Sequence, residues 1–157
     1  VDEGLGAGPV FQNAEGREMY GLELQWVSKL SDTLNLTLNS TLRDGEEKAS
    51  GKGVYFSNFD LTAILEYNFR PDWRFSLINN YVGEHDYLLI DGSGGNVSAY
   101  NLTDIHLAHS IDKFEFSAEV KNLFDEDYTL PEPARRRIAE IPGGPERSFY
   151  FTVRYDL

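Results

Sequence analysis

The feature that most constrains this chain is the strict alternation of apolar and polar residues along its end. Phe149, Phe151, Val153, Tyr155 and Leu157 fall on one side, and Ser148, Tyr150, Thr152, Arg154 and Asp156 on the other. A period of two belongs to a β-strand with two different environments on its faces, and to no helix. The same pattern recurs upstream. Phe114, Phe116, Ala118 and Val120 alternate with Glu115, Ser117, Glu119 and Lys121, and Thr103, Ile105 and Leu107 with Asp104, His106 and Ala108. Trp73, Phe75 and Leu77 alternate with Arg74 and Ser76; beyond them Ile78 and Asn79 blur the pattern. Phe59, Leu61, Ala63, Leu65, Tyr67 and Phe69 alternate with Asp60, Thr62, Ile64, Glu66 and Asn68. Leu34, Leu36 and Leu38, then Tyr20, Leu22, Leu24 and Trp26, complete the set. The reading is all-β, with seven strands and a weak candidate for an eighth around Pro9–Asn13.

The connections carry as much information. Tight turns are expected around Lys29–Asp32, Arg70–Asp72 and Ile111–Lys113, and long loops over Arg43–Asn58, Gly83–Ser98 and Asp125–Glu146. Short and long alternate, as they do in antiparallel outer-membrane barrels with short periplasmic turns and long extracellular loops. A mean hydropathy of -0.42 does not oppose this. A barrel strand crosses with about 9–11 residues, and only every second one meets lipid. The aromatic residues (10 Phe, 9 Tyr and 2 Trp) concentrate on the apolar face. Tyr67, Phe69, Trp73 and Phe75 flank one tight turn, with Phe114 and Tyr155 at the same level. Rings at strand ends are what a membrane-interface belt requires. Turned inward, so many rings would overfill the narrow barrel of a soluble calyx.

Composition excludes other classes. The chain has no cysteine, hence no disulfide and no thiolate metal site, and its net charge of -12 opposes nucleic-acid binding. Val1-Asp2-Glu3-Gly4 has neither the basic start nor the apolar core of a signal peptide.

Several segments then resemble a known family. Val120-Lys121-Asn122-Leu123-Phe124-Asp125-Glu126-Asp127-Tyr128 is similar to the "NLFD..Y" segment near the end of TonB-dependent outer-membrane receptors. Pro142-Gly143-Gly144-Pro145 and Arg147-Ser148-Phe149-Tyr150-Phe151 resemble the "PGRPRTFY" entry to their final strand. Tyr20-Gly21-Leu22-Glu23-Leu24, Asn80-Tyr81-Val82-Gly83-Glu84 and Tyr100-Asn101-Leu102-Thr103-Asp104-Ile105 resemble their "xGxEL", "YVG" and "YTLVDL" strands. The chain departs from the family in ending at Leu157 rather than Phe and in carrying Thr152 where Gly is usual.

The resemblance implies that residues 1–157 are one C-terminal segment of a barrel of about twenty-two strands. The plug domain and TonB box would lie outside it. It implies an outer-membrane location in a Gram-negative bacterium and import of a ferric siderophore, haem or cobalamin, with no enzymatic role and no resident cofactor or metal. The implied partners are the bilayer and its lipopolysaccharide, the remaining strands and plug, the TonB complex through the N-terminal part, and the barrel-assembly machinery. Phe149, Phe151, Val153, Tyr155 and Leu157 would form the C-terminal assembly signal, and Asn122, Leu123, Phe124, Asp125 and Tyr128 the family motif. Two other readings stand beside this one: a self-contained eight-stranded outer-membrane barrel, and a soluble ligand-binding calyx.

Candidate ligand contacts lie in the long loops. Arg135-Arg136-Arg137 offers charge-assisted contacts to an anionic ligand or to lipopolysaccharide phosphates, or is simply a solvated loop. Tyr55, His85 and Tyr87, with Phe56 and Leu88–Ile90 nearby, give either ligand contacts or loop–loop packing. Asp91-Gly92-Ser93-Gly94-Gly95-Asn96 reads as a flexible tip and lacks the carboxylates of a calcium loop. Asp104, His106 and Ser110 share a strand face and read as polar lumen lining rather than a hydrolytic triad. His106 and His109 are an odd number apart, hence on opposite faces and unable to share a metal.

Overall fold

The computed structural model describes residues 16–47, 56–89, 91–132 and 138–156. Its strands are β1 (Arg17–Lys29), β2 (Leu34–Glu47), β3 (Phe59–Arg70), β4 (Trp73–Val82), β5 (His85–Leu88), β6 (Gly94–Val97), β7 (Tyr100–Ile111), β8 (Phe114–Lys121), β9 (Thr129–Pro131), β10 (Glu140–Pro142) and β11 (Ser148–Tyr155). Among the described residues there is no helix. Seven of the strands make one antiparallel sheet in the order β1-β2-β3-β4-β7-β8-β11. β1 and β11 are its two edges and do not pair with each other, so the sheet is not closed. The weak strand candidate at Pro9–Asn13 lies outside the described residues.

The register turns the alternation into two continuous faces, because directly opposite residues project to the same side. Leu36 faces Leu65, Leu65 faces Leu77, Leu77 faces Ile105, Ile105 faces Val120 and Val120 faces Phe149. One row nearer the tight turns, Leu34, Tyr67, Phe75, Leu107, Ala118 and Phe151 follow one another. Asn79, the residue that blurred the pattern, belongs to this apolar face. Its amide donates to the Thr103 hydroxyl at 2.8 Å, so the two polar groups satisfy each other.

Among the described residues, no second layer packs on the apolar face. Among the described residues only Val97 and Ala108 are buried hydrophobics, whereas Leu22, Leu24 and Trp26 are 53%, 55% and 54% exposed. A soluble calyx would hide these side chains, each worth about 1.5–3 kcal/mol on burial. The calyx reading is not favoured: in the described residues the sheet does not close around these side chains.

The tight turns form a belt of rings. Tyr67, Phe69 and Trp73 follow one another at 5.7 and 5.8 Å between centroids, Trp73 stacks on His109 at 4.1 Å, and Phe114 meets Tyr155 at 4.9 Å. Pro71 occupies the two-residue turn between β3 and β4, where no ladder donor is needed. Asp112 takes φ 51° in the turn between β7 and β8, a conformation that a short polar residue tolerates.

At the other end the structure differs from the sequence reading. β2 continues to Glu47, past Arg43 where a loop was expected, because it pairs with β1 as far as Arg17. The long connections hold hairpins of their own, β5–β6 and β9–β10, and β9 packs against the first of these. Gly94–Asn96, read as part of a flexible tip, belongs to strand β6.

Candidate functional site

The best-defined part of the long-loop end is the Asn122–Tyr128 segment. Asn122 ends β8 at φ 50° and is 5% exposed. Its side chain closes a ring on Glu126: the Glu126 N–H donates to Oδ1 at 2.8 Å, and Nδ2 donates to the Glu126 carbonyl at 2.9 Å. Its own N–H donates to the Asp104 carboxylate at 2.8 Å, tying the turn to β7. Asp125, at φ 59°, accepts the Arg147 N–H at 2.8 Å, and Arg147 Nη1 donates to the Leu123 carbonyl at 3.3 Å. The motif is thus the clasp that fixes where the chain leaves β8 and where it re-enters β11. Phe124 itself is 72% exposed.

Tyr128 completes this unit. Its ring stacks on Tyr100 at 4.3 Å, and its other neighbours are the Gly143 and Gly144 backbone. A Cβ on either glycine would run into the ring, and the Gly143 N–H donates to the Tyr128 carbonyl at 2.9 Å. The Gly-Gly pair of the "PGRPRTFY"-like segment is therefore needed for close approach rather than for a turn. Ser98, Tyr100, Glu126, Asp127, Tyr128 and Thr129 line a cleft of about 280 Å³ beside it.

A second cluster joins the first two long loops. Arg43 on β2 forms an ion pair with Asp60 on β3, and its Nε donates to the Ser57 carbonyl at 2.9 Å. The buried Ser57 hydroxyl donates to Asp60. Ser57 also bridges to His85, the first residue of β5. Burial pushes the His85 imidazole below its usual value, a backbone hydrogen bond to Gly83 opposes this, and the Arg43 charge adds to the lowering. Tyr87 lies opposite Gly95 across the hairpin, with its ring where a Gly95 side chain would be. At the tip, hydrogen bonds from the Ser93 hydroxyl and N–H hold the Asp91 carboxyl below its ordinary range.

Of the residues expected to contact ligand, His85 and Tyr87 are brought onto one short hairpin strand and engaged in its packing. Tyr55 and Arg135, Arg136 and Arg137 lie outside the described residues, as does Leu157. Phe149, Phe151, Val153 and Tyr155 share the apolar face of β11, in register with Val120, Ala118, Phe116 and Phe114. Asp104 spends its carboxylate on the Asn122 N–H, and His106 faces Glu119 across the β7–β8 pair. His109 projects from the opposite side, stacked on Trp73 with Nδ1 3.3 Å from the Asp72 carboxylate.

Sequence reasoning did not single out the Arg43–Asp60–Ser57 cluster or the ladder along the polar face. There Gln25 donates to Asn39 and Thr62 to Asn80, each at 2.9 Å, and Arg74 and Arg154 both reach Glu115 at 3.3 Å. The period-two pattern assigns all these residues to one face. Their pairing depends on register, which alternation alone does not give.

No protein-family model matches the chain, and no curated protein does. Solved structures do. The Pseudomonas aeruginosa FpvA in complex with a heterologous ferric pyoverdine superposes with a TM-score of 0.74 at 18% identity, over 90% of this chain and 20% of that one. The ferric-catecholate import receptor Fiu from Escherichia coli K12 gives 0.72 at 19% identity, over 88% and 21%. The siderophore receptor PiuA from Acinetobacter baumannii gives 0.70 at 15%, over 88% and 22%. The chain thus spans about a fifth of the length of these receptors. Its seven-stranded sheet has the fold of a section of a siderophore-receptor barrel, the architecture that the "NLFD..Y"-like segment and the alternating final strand implied.

Proposed function

We propose that this chain is the C-terminal barrel section of a TonB-dependent outer-membrane receptor that imports a ferric siderophore or a similarly scarce, bulky ligand. The observation that carries the reading is the seven-stranded meander with one mostly apolar face and one polar face, superposing on receptor barrels over nine-tenths of its length. In this reading the apolar face meets lipid and the polar face lines the lumen. The tight turns are periplasmic, and the β5–β6 and β9–β10 hairpins stand outside the cell. Tyr55, His85, Tyr87 and Arg135–Arg137 belong to the loops that meet the ligand. Phe149, Phe151, Val153, Tyr155 and Leu157 present the signal read by the assembly machinery. β1 and β11 pair with the remaining strands, and the plug and TonB complex act through the rest of the receptor.

The self-contained eight-stranded barrel is less well supported, because β1 and β11 both remain open edges. The test is uptake of radiolabelled iron, supplied as a panel of ferric siderophores, in cells with and without the gene and with and without a working TonB. The reading expects at least one ferric complex whose uptake needs both. Uptake unchanged by deletion across the panel, with haem and cobalamin included, would overturn it.

A further inference from the structure

We propose that the junction of the first two long loops is an acid-sensitive latch: His85, neutral, holds the β5–β6 hairpin against Ser57, and its protonation releases the hairpin. His85 Nδ1 is buried and has no hydrogen-bond partner among the described residues. Protonation would place a hydrogen there with no acceptor among the described residues, a cost that a neutral acceptor nitrogen avoids and that the backbone hydrogen bond to Gly83 offsets only in part. The neighbouring charge makes it worse. Arg43 repels an imidazolium, and the one carboxylate of the cluster, Asp60, is already committed to Arg43 and to the Ser57 hydroxyl. On the hairpin itself Glu84 and Asp86 are exposed, and the Asp86 carboxylate accepts from Asn96 at 3.3 Å.

The tie that would yield is narrow. Ser57 and His85 meet through a single isolated bridge, whereas the Gly83 N–H to Phe59 carbonyl bond at 2.8 Å belongs to the rim of the main sheet and stays closed. Gly83 has no room for a side chain there, since a Cβ would lie 2.7 Å from the Phe59 carbonyl oxygen. The hairpin therefore has a fixed end at Gly83 and, two residues on, a contact with Ser57 that can part while β9 still packs against the hairpin.

The direction follows from linkage. A histidine whose value is lowered in the closed state binds its proton better in the open one. Closure is then fully favoured above the ordinary value of 6.5 and weakens as pH falls below it. At pH 5 an exposed imidazole is protonated by roughly 30 to 1, so the open state gains up to about 30-fold.

The experiment places nitroxides on cysteines substituted for the exposed Asn58 and Asp86 in the complete protein in its membrane, and reads their dipolar coupling from pH 8 to pH 5. Coupling present at pH 8 and lost with a midpoint below 6.5 is expected, and in His85→Gln the loss should disappear. Coupling independent of pH in the parent, or the same loss in His85→Gln, overturns the proposal. If His85→Gln is already uncoupled at pH 8, the decisive measurement is the titration of the parent's His85 ring by carbon-13 NMR. A value below 6.5 supports the latch, and one at or above 6.5 removes it. The outcome is independent of whether the protein imports iron.

Discussion

Replacing Asn122 tests the account of the Asn122–Tyr128 clasp most sharply, because each of its contributions can be removed separately. Asn122→Ala deletes the two side-chain hydrogen bonds to Glu126 and leaves a Cβ-bearing, non-polar residue at φ 50°. Each bond contributes about 0.5–1.5 kcal/mol net. An ordinary residue in the left-handed region costs about 1–2 kcal/mol, a penalty that Asn largely escapes. The sum is about 2–5 kcal/mol. Asn122→Gly keeps the backbone conformation and loses only the bonds, so about 1–3 kcal/mol is expected. Asn122→Asp keeps an acceptor for the Glu126 N–H and tolerates φ 50°, but loses the donor and sets a second carboxylate beside Asp104. It should be the mildest, at about 1 kcal/mol. The readout is amide exchange at Glu126 and Arg147, whose protection depends on the clasp. Asn122→Ala should raise it by roughly 30-fold to several thousand-fold, Gly by less, and Asp by least, at about 1.4 kcal/mol per tenfold. Equal exchange in the Ala and Gly variants would refute the role given to φ, and exchange unchanged in all three would refute the clasp.

Other expectations follow from the two faces and the loop packing. Leu77→Arg sets a charge between Leu65 and Ile105 and should destabilise the protein in bilayers by about 2–4 kcal/mol in a urea titration. Ser76→Arg, one residue away between Glu66 and His106, should change it by less than about 0.5 kcal/mol. Gly143→Ala should expel the Tyr128 ring from its place against Tyr100, costing about 1–3 kcal/mol and exposing the β9–β10 hairpin to limited proteolysis, while the main sheet keeps its urea midpoint.

How much of this was legible in the sequence depended on the number of alternations a segment contains. β3 repeats its pattern from Phe59 to Phe69, enough to declare a strand and its faces, and Pro71 punctuates its end. β6 is Gly-Gly-Asn-Val and β9 is Thr-Leu-Pro, too short to show a period and carrying Gly, Asn or Pro, which disfavour strands. These form because tertiary contacts demand them: Gly95 makes room for Tyr87, and β9 rests on the β5–β6 hairpin. The polar run Asp44-Gly45-Glu46-Glu47 read as loop because it has no apolar residue at alternate positions, although it pairs with β1. The family segment was recognisable as a string of letters. That Asn122 closes on Glu126, and that Gly143 and Gly144 serve Tyr128, required coordinates.

The central claim is that the uncovered apolar face meets lipid and the polar face meets water. Its most direct test is a nitroxide scan over Arg74, Phe75, Ser76, Leu77, Ile78 and Asn79 of β4, one cysteine at a time, in outer membranes of cells making the protein. Collisions with oxygen, which concentrates in the bilayer, should peak at Phe75, Leu77 and Asn79. Collisions with a water-soluble nickel chelate should peak at Arg74, Ser76 and Ile78. The opposite phase, or accessibility without a period of two, would contradict the account.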